Sequence, residues 1–135
     1  MSKLVKASIL LLSLFIAGCS TQSGIAGKSG LARTFNATYA DTKAATRYSV
    51  ETLNVKIARI EDAGSAYTIW FSKPMSAWSW GEQGLVTVSP LAGESTKVEV
   101  RSAKNYKLQV SGTGQEKFAG AIFEGIEKGL RDLGK

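Results

Sequence analysis

The chain of 135 residues contains no histidine and a single cysteine, Cys19. Without imidazole, Ser-His-Asp and Cys-His machinery cannot be built, and the usual zinc ligand sets are missing too. A lone cysteine can form no internal disulfide. No apolar run reaches the ~20 residues that a helix needs to cross a hydrocarbon core of ~30 Å. Charged residues of both signs alternate without a long block of either, and no aromatic-plus-basic constellation points to nucleic acid. No internal repeat is present. Together these absences argue against an enzyme, a metal centre, a bound cofactor and a nucleic-acid partner.

The N-terminus is built for export. Lys3 and Lys6 form a short basic region, and Ile9 to Ala17 supply an apolar one. This is the pattern of a secretory signal peptide, expected over residues 1–18 and set aside when the fold is considered. Setting it aside lowers the formal charge from +6 to +4, because it removes two lysines and no acid. A mild positive surplus chiefly keeps a surface soluble, with weak attraction for anionic lipid or polymer.

Ile16-Ala17-Gly18-Cys19 follows the apolar run directly. This tetrad resembles the lipobox of bacterial lipoproteins, in which a diacylglyceryl group is attached to the cysteine sulfur and the chain is then cut before that cysteine. The resemblance implies lipidation of Cys19 and a membrane partner reached through that lipid. Ser20 stands where the family's inner-membrane retention signal carries aspartate, which implies an outer-membrane address facing the periplasm. Residues 20–30 (STQSGIAGKSG) are rich in glycine and serine and read as a flexible tether. Such a stretch has a root-mean-square reach of roughly 20 Å. The expected organisation is signal peptide 1–18, lipidated Cys19 and tether 19–30, and one domain over 31–135.

Within that domain, residues 31–39 alternate as a strand, and Asp41 is a candidate N-cap for a helix to about Leu53 with Ala44, Ala45, Tyr48 and Leu53 inward. Residues 55–60 and 67–71 flank an Asp-Ala-Gly-Ser turn and predict a hairpin. Residues 85–89 and 97–101 predict a second pair, and 105–111 a further edge strand. Val98 and Val100 alternate with Lys97, Glu99 and Arg101, the mark of a sheet buried on one side only. The C-terminal segment carries Phe118, Ile122, Ile126, Leu130 and Leu133 on one helical stripe. Ala121, Gly125 and Gly129 form a parallel row of small residues, suited to close packing or to a dimer contact. The order β-α-β-β-β-β-(β)-α predicts an α+β fold: an antiparallel sheet of about five strands with two helices on one face. With the lipobox and tether, the chain resembles small bacterial lipoproteins carrying a single α+β domain.

Two glycine motifs point nowhere. Gly27-Lys28-Ser29 has the ending of a phosphate-binding loop, but Gln22 occupies the place of its first glycine and no strand precedes it. Gly112-Thr113-Gly114 lacks the third glycine and the βαβ unit of a dinucleotide site. Glu61 and Asp62 are adjacent carboxylates, but they sit at a turn where charge is expected. The connection over residues 72–84 is long and carries Met75, Trp78 and Trp80, residue types enriched in binding patches. These three are the candidate contact residues for an envelope protein, peptidoglycan or the membrane interface; the alternative is that the two tryptophan rings fold over the open end of the sheet and complete a small core. A lipid-anchored, non-catalytic binding or accessory module is the expected function; the alternative is a structural envelope lipoprotein that contacts peptidoglycan through general surface charge, without a defined pocket.

Overall fold

The computed structural model describes residues 30–74, 81–104 and 114–134. Five strands run Leu31–Phe35 (β1), Lys56–Asp62 (β2), Tyr67–Lys73 (β3), Glu82–Pro90 (β4) and Thr96–Lys104 (β5). Two helices run Tyr39–Glu51 (α1) and Gln115–Asp132 (α2). The sheet is antiparallel throughout in the order β1-β5-β4-β3-β2. Both helices lie on one face, so the α+β class and its two-layer arrangement follow the alternation read above. The expected edge strand over 105–111 lies outside the described residues.

Burial follows the two-residue period of the strands. Tyr67, Ile69 and Phe71, Val86 and Val88, and Val98 and Val100 are buried beneath the helices. Phe118, Ile122, Phe123, Ile126 and Leu130 close the core from α2. Each such side chain contributes about 1.5–3 kcal/mol by leaving water. Phe123, which the four-residue stripe omits, packs against Phe35 with ring centroids 6.2 Å apart. Leu133, which the stripe includes, is half exposed because the helix ends at Asp132.

The start of α1 lies earlier than Asp41. Thr38 is the N-cap: its backbone is extended, and its hydroxyl oxygen accepts the Asp41 N–H at 3.1 Å. Asp41 instead occupies the first turn, where its carboxylate accepts from the Thr38 hydroxyl and faces the positive end of the helix dipole. The preceding strand accordingly stops at Phe35. The Thr96 hydroxyl pins the bend between them by donating to the Ala37 carbonyl at 2.9 Å.

The inner face of α1 differs from expectation for a related reason. Thr42, Ala45, Thr46, Ser49 and Val50 are buried, whereas Ala44 and Tyr48 are exposed. The partner across this face is the small-residue row of α2. A Cβ built on Gly125 would stand 2.2 Å from Ser49 Oγ, and one on Gly129 would stand 3.2 Å from the Ala45 Cβ. Helices this close tolerate only small side chains between them, and the Ser49 hydroxyl is satisfied by donating to the Ile122 carbonyl at 2.8 Å. The row is thus used within the chain, against α1.

Both hairpins turn at glycines of positive φ, Gly64 (77°) and Gly93 (72°). They define one end of the sheet, the hairpin end. At the opposite end, β3 and β4 are each longer than their apolar runs. The ladder continues through Ser72↔Gln83 to Lys73↔Glu82, so the connection between them shrinks from 72–84 to 74–81. Gly84 permits this extension: its missing Cβ leaves room for the Phe71 ring, whose Cζ would be 2.4 Å from it.

Candidate functional site

The residues that the sequence singles out, Cys19, Met75, Trp78 and Trp80, lie outside the described residues. Their points of attachment are described, and they converge. Residues 74–81 leave from Lys73 and return at Glu82. Gly30 precedes β1, where a Cβ would approach the Glu99 and Arg101 side chains within 2.8 Å. Because β1 is antiparallel to β5, the chain enters β1 from the same end, away from the hairpins. The N-terminus of α2 closes this end: the Ser102 N–H donates to Gln115 Oε1 at 3.2 Å. Leu31 lines a shallow hollow there with Gly114, Gln115, Glu116 and Lys117.

The terminal row of this entry end is a charge triplet. Register sets Lys73 and Lys104 on either side of Glu82. Glu82 is 1% exposed. A carboxylate so far from water is costly unless it is partnered. Lys73 also reaches over the Phe118 ring, with Nζ 5.9 Å from its centroid. Sequence reading left Glu82 in a loop. The signal that it belongs to β4 is the even-numbered set Glu82, Gly84, Val86 and Val88, which shares one face.

The face of the sheet away from the helices carries a second arrangement. Arg59, Trp70, Leu85 and Arg101 are successive cross-strand neighbours. The Arg59 guanidinium lies 4.8 Å from the Trp70 ring centroid, a cation–π contact, while its Nε is 3.2 Å from Glu61. Arg101 holds Glu99 at 2.7 Å. Leu85 is 2% exposed between them. A third feature is an apolar hollow of about 350 Å³ between the helices, lined by Ala44, Ala45, Tyr48, Gly129, Asp132 and Leu133.

The adjacent carboxylates serve the fold. Asp62 accepts from Lys43 Nζ at 2.9 Å and from the Gly64 N–H at 3.1 Å. Lys43 lies at the same time over the Tyr39 and Tyr67 rings. The Lys43 hydrogen bond, followed by that of the Gly64 N–H, holds the Asp62 carboxyl below the ordinary aspartate value of 3.8. The unfolded chain then binds the proton more readily than the folded one. The stabilisation is therefore present above that ordinary value and is lost as pH falls through the depressed folded value. Urea titrations of the protein and its Asp62→Asn variant are expected to show a midpoint difference that is constant near neutrality and closes below about pH 4. Because both groups face water, added salt is expected to narrow the difference.

Among the described residues no cluster of three or more metal-ligating side chains occurs, and no helix is long and apolar enough to cross a membrane. No family model matches the chain, and no curated protein does. Among solved structures, a START superfamily protein from Mycobacterium smegmatis is similar, with 16% sequence identity, over 78% of this chain and 97% of that one, at a TM-score of 0.37. A backbone likeness this loose assigns neither ligand nor activity to this chain; the sheet order and helix packing above stand on its own geometry.

Proposed function

We propose that the protein is a lipid-anchored lipoprotein of the cell envelope whose α+β domain is a non-catalytic binding or accessory module. The anchor is lipid on Cys19, and Ser20 directs it to the outer membrane, facing the periplasm. The observation that supports the reading is the convergence at the entry end. The chain arriving from the tether reaches β1 at the same end of the sheet from which residues 74–81 depart. Met75, Trp78 and Trp80 are then contact residues carried by the end of the domain nearest the bilayer.

A structural lipoprotein that meets peptidoglycan is the second reading. It draws support from the Arg59–Trp70–Leu85–Arg101 band on the face away from the helices, which sets an aromatic side chain and two guanidinium groups in one row. Photo-crosslinking in living cells separates the two, with the probe at position 70, 78 or 80 and a control at the exposed Glu124. A discrete protein adduct from 78 or 80, absent from the control, is the expected result. Glycan adducts from position 70 alone would favour the second reading. Silence at every position, in a variant that still folds, would overturn the binding role of both surfaces.

A further inference from the structure

We infer that the domain docks its entry end directly onto an anionic phospholipid surface, so that the anchored molecule stands with its hairpins pointing away from the bilayer. This rests on the lipid-anchor reading and goes beyond it, because a tether of residues 19–30 alone would leave the domain free to rotate.

Charge is divided between the two ends of the sheet. Lys56 starts β2, while Lys73 and Lys104 end β3 and β5. Lys117 lies in the first turn of α2, and Arg59 and Arg101 stand two to three residues further in. The acids at this end are Glu51, held by Arg47 at 2.8 Å, Glu99, held by Arg101 at 2.7 Å, the buried Glu82, and Glu116. Lys56 and Lys117 are exposed and form no ion pair among the described residues. The hairpin end has the opposite balance. It carries Asp41, Glu61, Asp62, Glu94 and Asp132 against Lys43, Lys97 and Arg131.

The second observation is where the chain outside the described residues joins. It meets the domain at Gly30, so under the lipid-anchor reading the basic end is the one to which the tether is attached. The reach of the tether, roughly 20 Å, exceeds the ~8 Å screening length, so the charges act only when the domain comes down onto the headgroups. Each basic residue that arrives at an anionic surface shifts that equilibrium about fivefold. A few lysines at one end, opposed by acids at the other, are enough to select one orientation.

The test uses the complete lipidated protein in vesicles of phosphatidylcholine alone, or with about 30% phosphatidylglycerol. Cys19 is the only cysteine and its sulfur is occupied by lipid, so Asn54→Cys at the entry end and Ala92→Cys at the hairpin end each take one fluorophore. Energy transfer to an acceptor on the lipid headgroups reports the height of each. With the anionic lipid, transfer at 54 is expected to exceed that at 92 clearly. The excess is expected to collapse in neutral vesicles, in about 0.5 M salt, and in the Lys56→Glu/Lys117→Glu variant. Equal transfer at the two positions in anionic vesicles, or a larger signal at 92, overturns the inference. Flotation with neutral vesicles reports the anchor separately. Protein that floats but shows equal transfer sinks the docking alone, whereas protein that fails to float sinks the anchor reading and the docking with it.

Discussion

Gly125→Ala is expected to destabilise the domain by about 2–3 kcal/mol, in the upper range for overpacking a closed core. Taken as a helix residue alone, the exchange is favourable by ~1 kcal/mol. The added methyl, however, would arrive 2.2 Å from Ser49 Oγ, 2.8 Å from its Cβ and 3.3 Å from its Cα. The hydroxyl cannot swing aside without giving up its buried bond to the Ile122 carbonyl. The two helices must separate, and α1 has little large apolar surface with which to refill the gap. Gly120→Ala is the control. Nothing lies within 4 Å of its Cβ position, so the propensity gain should appear as a stabilisation of up to ~1 kcal/mol. Urea unfolding midpoints of the two variants, moving in opposite directions, are the measurement. Equal shifts would mean that the helices do not meet at Gly125. In a Ser49→Gly background the cost of Gly125→Ala is expected to shrink, because the nearest two obstructing atoms are gone.

Cys19→Ser is expected to move the protein from the membrane fraction to the soluble periplasmic fraction while leaving its unfolding midpoint unchanged. Each buried methylene adds ~0.8 kcal/mol of membrane affinity, so two or more acyl chains hold where one is marginal. Losing all of them leaves only the basic entry end, whose attraction is screened by salt. Fractionation after a high-salt wash, with palmitate labelling of the two proteins side by side, checks this. The variant is expected to be unlabelled and soluble. Persistence in the washed membrane would overturn the anchor reading, because nothing in the surface charge survives that wash. Unchanged stability is part of the prediction, since Gly30 and the residues after it form the domain without help from the lipid.

The elements themselves were largely legible in the sequence. Val98 and Val100 against Lys97, Glu99 and Arg101 gave the orientation of β5, and alternation separated Tyr67, Ile69 and Phe71 from Thr68 and Trp70. The four-residue stripe of α2 was equally clear because its apolar residues are large. Less could be read of α1. Its buried face is Thr42, Ala45, Thr46 and Ser49, small or hydroxylated residues that hydropathy scores as a surface, so Ala44 and Tyr48 appeared to be better candidates for the core. The ends of β3 and β4 escaped for a similar reason: Ser72, Lys73, Glu82 and Gln83 look like a loop until the ladder between them is seen.

The sequence by itself determined the class of the domain, the face that each apolar strand residue takes, the stripe of α2 and the absence of imidazole and disulfide chemistry. Each follows from residue type and a local period of two or 3.6, which neighbours along the chain already express. Tertiary structure alone decided that Gly125 and Gly129 serve α1, that Glu82 is buried in register between two lysines, and that β1 begins at the end where residues 74–81 depart. These depend on which strands pair and how closely two helices approach. Such contacts join residues far apart in the chain, and no local pattern of hydropathy carries them.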